Sequence, residues 1–580
     1  MKHWARLSPY LRRHLGAYVV GLLLVVAATA CGIAAPLLVK AAVDRLEAGA
    51  TREFILLASG GIVVFAVVRG LFLFGGRHLI LRASRRVEFE LRNDLFAHLE
   101  RLSARWFDTH PTGDITSRAI NDLDGVRMMF GIGVMATAST GLLVTAAVST
   151  MVAMKPALAA LCLSPLALIA VLMAWAGARM HSLSLAVQDQ LGVLSSRAQE
   201  NFTGARVVRA FVQEDREIGR YAGLCEEYRA RNLRLANWRC ASWALILVLM
   251  EAAILVTLYA GGREMIGGTF SKGEFVAFTA YQFMLIWPMI ALGWVVGIAQ
   301  RGLACMGRLG EIWDAVPEVD DARAVPGPPI RGAIEARNLT FAYGDGRPPA
   351  LRDVSFRVDP GQKVAIVGRT GAGKSTLVHL LLRLYRVPDG MLFLDGRDVN
   401  TIPLADLRGA FGVVPQDLFL FSDRLRENIA FGARDGASEE RIVRAAEISR
   451  LSADLDQFPD RLDQVIGERG VTLSGGQKQR AALARALVRE PAILVLDDAL
   501  SSVDAHTEIE IRERLRDFLK GRTCLVITHR LSAVTDADRI LVLDEGRRVE
   551  EGRHEELVAR GGLYATLWES QKLAEELSEA

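Results

Sequence analysis

Six long apolar segments limit this chain to folds that cross a membrane. A helix of about 20 apolar residues spans the hydrocarbon core of a bilayer, and a helix of a soluble protein rarely stays apolar on every side over that length. Only two of the segments carry a charge, Arg69 in the second and Glu251 in the fifth. The pattern predicts an α-helical six-span transmembrane domain over residues 15–313. The segments are residues 15–39, 54–76, 128–154, 156–178, 241–262 and 275–300.

Basic residues indicate which ends of these segments face the cytoplasm. Residues 77–127 hold nine arginines and residues 179–239 hold ten, whereas the other loops hold six basic residues in total. Positive charge concentrates on the cytoplasmic side of membrane proteins, so we expect both long loops and both termini there. The two loops are rich in helix formers and poor in proline. This composition predicts that they extend the membrane helices instead of folding separately.

Residues 1–14 are typical of an amphipathic helix that lies on the inner leaflet. We expect Trp4, Leu7 and Leu11 to face the lipid while the basic side chains face water. A frayed tail is the alternative. The apolar run that follows is too long for a signal peptide and lacks a convincing cleavage site.

The character of the sequence changes after residue 313. Residues 314–333 contain four prolines, a composition typical of a linker. Over residues 334–580, short β-branched runs such as KVAIVG and AILVLD alternate with amphipathic helices. This alternation predicts an α/β domain with buried parallel strands. The formal net charge is only +3, so we expect no nucleic-acid partner.

A glycine-rich loop between a predicted strand and a predicted helix is the centre of the candidate site. Glycines let backbone N–H groups turn toward phosphate oxygens, and the helix that follows presents its positive end to the same charge. Lys374 would reach the β- and γ-phosphates, and Ser375 would offer its hydroxyl to Mg²⁺. The pattern is that of a P-loop, and it predicts ATP and Mg²⁺ as cofactors. The loop residues are Gly368, Arg369, Thr370, Gly371, Ala372, Gly373, Lys374, Ser375 and Thr376.

A second buried strand ends in Asp497, directly after the apolar run AILVL. P-loop enzymes hold Mg²⁺ with an aspartate in this position beside the loop. An apolar strand that ends in aspartate is common by itself. Here it indicates half of a nucleotide site because the chain also contains a P-loop. Together the two elements fit any P-loop nucleoside triphosphatase (NTPase).

A serine–glycine turn at residues 474–477 narrows the function further. Ser474, Gly475, Gly476 and Gln477 follow Leu473, and at a helix start they would form a second phosphate-binding turn suited to a γ-phosphate. The segment resembles the LSGGQ signature of ABC ATPases. The resemblance implies that two such domains stack head to tail, so that each signature closes on ATP held by the other domain.

Five further positions follow the pattern of that family in the same order. The resemblance implies that Tyr343 stacks on adenine, that Gln416 touches Mg²⁺ and the membrane domain, and that His529 contacts the γ-phosphate. It also implies an exporter-specific loop at Glu468 and a loop that faces the partner at residues 501–504. Each residue taken singly has an ordinary structural explanation. The resemblance depends on the occurrence of all five in the order found in the family.

The membrane half resembles the exporter branch of the same superfamily, the type IV half-transporters. Residues 106–114, WFDTHPTGD, and residues 200–211, ENFTGARVVRAF, look like the segments around the coupling helices that dock membrane helices onto the ATPase domains. A polar tip on a long helix would transmit closure of the ATPase domains. An ordinary helix-hairpin tip is the alternative.

Asp498 departs from the family pattern, which places a glutamate after the Mg²⁺ aspartate. The glutamate orients or deprotonates the attacking water. Aspartate is one methylene shorter, and a misplacement of about 1 Å can cost about a hundredfold in rate. We therefore expect a catalytic set of Asp498, His529 and Gln416 that hydrolyses ATP slowly, with Ser375, Gln416 and Asp497 as Mg²⁺ ligands. A tolerated conservative replacement is the alternative.

The resemblance implies ATP-driven export of hydrophobic or amphipathic compounds, such as drugs, lipids or peptides, across a bacterial inner membrane. Because the signature is intact and the glutamate is absent, the chain resembles the degenerate-site subunit of a heterodimer whose partner carries the glutamate. A homodimeric lipid flippase and an ATP-gated channel or regulatory subunit are the alternatives. The predicted partners are a second half-transporter, membrane lipid and the cargo.

Two groups of side chains are candidates for contact with cargo. Arg69 and Glu251 are costly at membrane depth, so they would line a cavity, or else form a structural ion pair or reach to the interface. Several side chains of the sixth segment could meet a hydrophobic cargo, with lipid contact or core packing as the alternative. They are Tyr281, Phe283, Met284, Trp287 and Trp294.

Overall fold

The structure is a computed structural model, and it describes residues 2–49, 51–344, 346–434, 436–467 and 473–579. The chain forms two compact units. The first comprises Met1–Glu100 and Thr112–Ala315, and the second comprises Arg101–Pro111 and Val316–Ala580. The second unit thus includes most of the proline-rich segment and a short stretch that the sequence places in the membrane domain.

The first unit is helical. Within the described residues, five helices are long and apolar enough to cross a membrane. The fourth expected span lies on the 48-residue helix Pro156–Thr203, which begins with the shorter apolar stretch Pro156–Ile169. The helices of residues 2–314 are α1 (Lys2–Arg13), α2 (Leu15–Glu47), α3 (Arg52–Leu99), α4 (Ala104–Thr109), α5 (Thr112–Ser117), α6 (Leu123–Met128), α7 (Val134–Met154), α8 (Pro156–Thr203), α9 (Ala205–Ala210), α10 (Glu214–Ile266) and α11 (Lys272–Asp314).

The long arginine-rich loops continue the membrane helices, as the composition predicts. Helices α3, α8 and α10 run 48, 48 and 53 residues, more than twice the length that a bilayer requires. Two π-helical segments, Arg118–Asp122 and Met129–Gly133, join α5, α6 and α7 into one continuous helical segment. Ion pairs stabilise the polar extensions. Glu88, for example, is 7% exposed and forms ion pairs with Arg85 and Arg92.

One expectation about an individual side chain of this unit, that for Leu7, is wrong, and for Tyr281 the alternative of core packing holds. Leu7 is 3% exposed, because α1 packs against α3 and α11, so it does not face lipid. Tyr281 is fully buried, and its hydroxyl donates to the Ile33 carbonyl at 2.6 Å, which excludes it from a cargo surface. Phe283, Trp287 and Trp294 remain exposed.

Neither charged side chain at membrane depth has an acidic or basic partner within the part of the chain that the structure describes. Arg69 and Glu251 are both exposed and form no ion pair there, which removes the support for a structural pair between them. The Arg69 guanidinium lies against Gly32 of α2. Both residues stay available to a cavity or to the membrane interface.

The second unit is an α/β domain with two sheets and short 3-10 turns between the elements. Its strands are β1 (Ile334–Phe341), β2 (Leu351–Val358), β3 (Lys363–Gly368), β4 (Leu392–Leu394), β5 (Arg397–Asp398), β6 (Phe411–Val414), β7 (Ile493–Asp497), β8 (Thr523–Ile527), β9 (Arg539–Asp544) and β10 (Arg547–Gly552). Its further helices are α12 (Lys374–Leu381), α13 (Leu404–Gly409), α14 (Leu425–Ala430), α15 (Glu439–Ile448), α16 (Gly475–Leu487), α17 (Ala505–Phe518), α18 (His554–Arg560) and α19 (Leu563–Glu579).

The larger sheet has the order β10-β9-β3-β8-β7-β6 and is parallel except at β10. Its central strands are apolar and buried on both faces, as parallel strands between helices must be. The smaller sheet, β2-β1-β4-β5, is antiparallel. Because parallel strands all end at one edge, the loops after β3, β6, β7 and β8 come together there.

A buried ion pair attaches α16 to the neighbouring 3-10 segment Leu451–Gln457. Arg480 donates two hydrogen bonds of 2.8 Å to the Asp454 carboxylate, and the two residues are 9% and 7% exposed. Removing one partner leaves a buried charge without compensation, which costs about 3–5 kcal/mol.

We therefore expect Asp454→Asn to lower the free energy of unfolding by about 3–5 kcal/mol in urea titrations of the detergent-solubilised chain. Asp456→Asn is the matched control, because its pair with Arg461 is 3.0 Å long but its side chain is 82% exposed. An exposed pair contributes about 1 kcal/mol or less. Equal effects of the two substitutions would mean that burial does not set the strength of these pairs.

Candidate nucleotide site

The P-loop joins the end of β3 to the start of α12. Gly371 and Gly373 have φ angles of +82° and +93°, which favour glycine. A Cβ on Gly373 would lie 2.6 Å from the Ala350 carbonyl oxygen, whereas a Cβ on Gly371 would meet nothing within 4 Å. Arg369 and Thr370 are exposed beside Gly371. The outer side of the loop is therefore open, as a phosphate cradle requires.

Lys374 lies inside this loop. Its Nζ atom donates to the carbonyl oxygens of Gly368 and Arg369, at 2.9 Å each. Burial lowers the pKa of Lys374, and the nearby carboxylates of Asp497 and Asp498 oppose that shift. The loop thus holds one cation where a polyphosphate would arrive.

Asp497 ends β7 and is 6% exposed. Burial raises the pKa of Asp497, while a hydrogen bond from Ser375 lowers it. A carboxylate and a hydroxyl side by side are oxygen donors of the kind that Mg²⁺ prefers, so this pair fits the ion. Gln416 is exposed in the loop after β6, and within the described ranges it makes no hydrogen bond to Ser375 or Asp497.

Asp498 and His529 lie against each other at the same edge. The His529 backbone N–H donates to Asp498 Oδ1 at 3.2 Å, and His529 Nε2 is 3.8 Å from Oδ2. Asp498 has a φ of +50°, a conformation that non-glycine residues adopt seldom and mostly where the surroundings require it. Its own N–H donates to the Ile527 carbonyl at 2.8 Å, which continues the pairing of β7 with β8.

Tyr343 is attached to the helix that follows the P-loop. Its hydroxyl donates to Thr376 Oγ1 at 3.0 Å. The ring makes edge-on contacts with Phe341 and Tyr385, with centroids 5.1 and 5.0 Å away. Burial raises the pKa of Tyr343, so the hydroxyl stays neutral. The aromatic ring expected to meet adenine is thus held beside the phosphate loop.

The serine–glycine turn lies at the start of α16. Ser474 accepts from the Gln477 N–H at 3.2 Å, and the Gln477 side chain accepts from the Ser474 N–H at 3.0 Å, which is a capping box. Within the described residues, no hydrogen bond or ion pair joins residues 474–477 to residues 368–376. Glu468 lies outside the described residues.

The segment Arg101–Pro111 supplies a contact that the sequence does not reveal. Tyr385 donates to the Asp108 carboxylate at 2.6 Å, and Arg105 pairs with Glu318 at 3.2 Å. These contacts explain why the segment groups with the second unit. The sequence marks residues 106–114 as a docking segment, but the partner, Tyr385, lies 277 positions away and has no recognisable motif.

The second expected docking segment contains the six-residue helix α9 in the first unit. Apolar side chains of this segment and of the residue after it are exposed, with Phe202 at 81%, Phe211 at 71% and Val212 at 80%. Apolar side chains with this exposure at a helical tip are typical of a surface that another chain or domain covers.

Comparisons with known proteins agree with the sequence resemblance. The family descriptions "ABC transporter transmembrane region" and "ABC transporter" match residues 18–289 and 351–501. The probable multidrug resistance ABC transporter ATP-binding/permease protein YheI of Bacillus subtilis (strain 168) is 34% identical, over 96% of this chain and 95% of its own length.

Two further similarities extend over nearly the whole chain. The ATP-dependent lipid A-core flippase of Syntrophus aciditrophicus (strain SB) is 34% identical over 100% of this chain and 96% of its own length. The structure of a bacterial Atm1-family ABC exporter with ATP bound superposes with a TM-score of 0.79 at 31% identity, covering 97% of this chain and 98% of that one.

Tyr343 gives a prediction for nucleotide affinity. We expect Tyr343→Ala to weaken ATP binding by about 1–3 kcal/mol, or roughly 5- to 150-fold, because a base that stacks on an aromatic ring gains that amount. Tyr343→Phe is the control: it keeps the ring, loses only the contacts of the hydroxyl with Thr376 and His379, and should stay within about twofold of wild type. Fluorescent-nucleotide titration measures both. Equal losses for both variants would argue against stacking.

Proposed function

This chain belongs to the ABC transporter family, and on that premise we propose that it is the hydrolysis-impaired subunit of a heterodimeric exporter. ABC exporters of this kind are ATPases that couple hydrolysis to transport, and the chain is a multi-pass membrane protein. The proposed cargo is hydrophobic or amphipathic: drugs, lipids or peptides. The proposed mechanism is alternating access, driven by ATP binding and reset by hydrolysis.

One observation carries the proposal: the residue after the Mg²⁺ aspartate is Asp498, and its short carboxylate is already engaged. The carboxylate accepts the His529 backbone N–H, and its backbone is fixed by the bond to Ile527. Because aspartate reaches less far than glutamate, a water at the γ-phosphate would lie too far from it for efficient activation. This chain's own P-loop would therefore retain ATP without rapid turnover.

The separation of the two phosphate-binding elements supports a composite site between chains. Residues 474–477 have no polar contact with residues 368–376 in the described part of this chain, and Ser474 is exposed. The active site would then combine the partner's P-loop and glutamate with the intact turn of this chain.

The residues present fit ATP and Mg²⁺. Residues 368–374 would hold the phosphates, Tyr343 the adenine, and Ser375 and Asp497 the ion, with Gln416 joining them on closure. The ion supplies charge neutralisation at the phosphates. Lys374 adds a cation that is already held in place, and His529 would orient the terminal phosphate beside Asp498.

The arginine-rich helix extensions support an orientation with the ATPase domain and both termini in the cytoplasm of a bacterial inner membrane. Exposed Trp287 and Phe283 on α11, together with Arg69 and Glu251, suit an amphipathic cargo better than a small ion. A homodimeric lipid flippase is the second candidate, because one relative bears the name of a lipid A-core flippase.

We expect Asp498→Glu to raise the ATP turnover of the purified complex at least tenfold, because the added methylene moves the carboxylate toward the water. Asp498→Asn is the control and should give no increase, since it has no base. Steady-state phosphate release measures turnover. An unchanged or reduced rate in Asp498→Glu would count against an impaired site.

We also expect a second half-transporter to co-purify with the tagged chain from its native membrane in a one-to-one ratio. Mass spectrometry of the intact complex measures that ratio. Inverted vesicles with that complex should accumulate an amphipathic dye against its gradient only while ATP is hydrolysed. A fast, fully active dimer of this chain alone would favour the flippase, and downhill flux without hydrolysis would favour a channel.

A further inference from the structure

Gln479, two residues beyond the serine–glycine turn, is buried and uses its whole side-chain amide. Its Nε2 donates to the Asp498 carbonyl at 3.3 Å and to Ser501 Oγ at 2.9 Å. Its Oε1 accepts from the Ser502 N–H at 2.8 Å. Three bonds from one side chain, which is 4% exposed, thus fix the turn that follows β7.

Arg530 also holds this turn through a hydrogen bond. It follows His529 in the chain, donates to the Ser501 carbonyl at 2.7 Å, and pairs with Glu508 at 3.1 Å. Glu508 is only 8% exposed, so Arg530 has a fixed counter-charge behind it. Arg512 also pairs with Glu508, but it makes no contact with residues 498–502 among its hydrogen bonds in the described chain.

The turn also packs directly against the serine–glycine segment. A Cβ placed on Gly475 would lie 3.3 Å from Ser502 Cβ, and one on Gly476 would lie 3.1 Å from the Ser502 carbonyl oxygen. Both glycines therefore leave little room for a side chain beside Ser502. Residues 475–476 and Ser502 are thus closely packed, and close packing transmits displacement from one segment to the other.

We propose that Gln479 and Arg530 are positioning residues that lock residues 498–502 to the serine–glycine turn and to His529. The inference rests on the proposed function, in which this chain's turn at 474–477 closes on ATP bound by the partner. A displacement of that turn would pass through Gln479 to the Asp498 backbone and to Ser501, and through Arg530 to the segment that carries His529. We call these contacts, from Gln479 to residues 498, 501 and 502 and from Arg530 to Ser501 and Glu508, the clamp.

A role in positioning predicts a loss of turnover without a matching loss of nucleotide affinity. Gln479→Met keeps the length and burial of the side chain but removes all three hydrogen bonds. In the purified complex we expect its kcat for ATP to fall at least tenfold, while its KM stays within twofold of wild type. Arg530→Ala should lower kcat at least fivefold, whereas Arg512→Ala, which loses the same Glu508 contact but not the turn, should stay within twofold.

A second comparison separates positioning from general stabilisation and uses a milder variant. Ser501→Ala removes only the hydroxyl that Gln479 contacts. If the clamp acts through Ser501, the kcat of the double variant with Gln479→Met should equal that of Gln479→Met alone within twofold. Independent multiplication of the two losses, a kcat of Gln479→Met within twofold of wild type, or an Arg512→Ala defect as large as that of Arg530→Ala would each overturn the proposal.

A different measurement would detect failure of the proposed function. If the wild-type complex contains no different second subunit by intact mass, the proposed heterodimer is wrong. The comparison of Gln479 with Ser501 lies within one chain and still decides whether the clamp acts. Both measurements use the same preparation of the full-length protein.

Discussion

The parallel pairing of β3, β8, β7 and β6 is the constraint on which the rest of the nucleotide site depends. Each strand runs in the same direction and is buried on both faces, so the four polar loops that follow can meet only at the carboxyl edge. That edge brings Lys374, Asp497, Asp498 and His529 together, although 155 positions separate the first from the last. A change in strand register would separate them.

Burial gives these groups their chemical character. Lys374 and Asp497 are both nearly inaccessible, and each is stable there because a fixed partner satisfies it: two loop carbonyls for Lys374 and the Ser375 hydroxyl for Asp497. Gln479 is likewise buried, and its side chain is satisfied by three hydrogen bonds. Because these bonds join loops that follow different strands, movement of one part of this edge strains the bonds to its neighbours.

Much of the fold could be predicted because its signals are local. Apolar length identifies membrane helices, and the described residues contain five that are long and apolar enough. Helix-forming composition predicts their long extensions. These local signals do not predict which side chains are buried by packing against another helix. Leu7 is as apolar as a lipid-facing residue, and Tyr281 resembles its exposed neighbours, yet packing against other helices buries both.

The sequence by itself determined the class of protein, the residues of the phosphate loop and the departure at Asp498, because each depends on residue type at short spacing. Only the tertiary structure decided that Asp498 is tied to His529, that Tyr385 holds Asp108, and that Gln479 holds the turn after β7. These contacts join residues distant in the chain. Their geometry follows from strand register and helix packing, which no local pattern encodes.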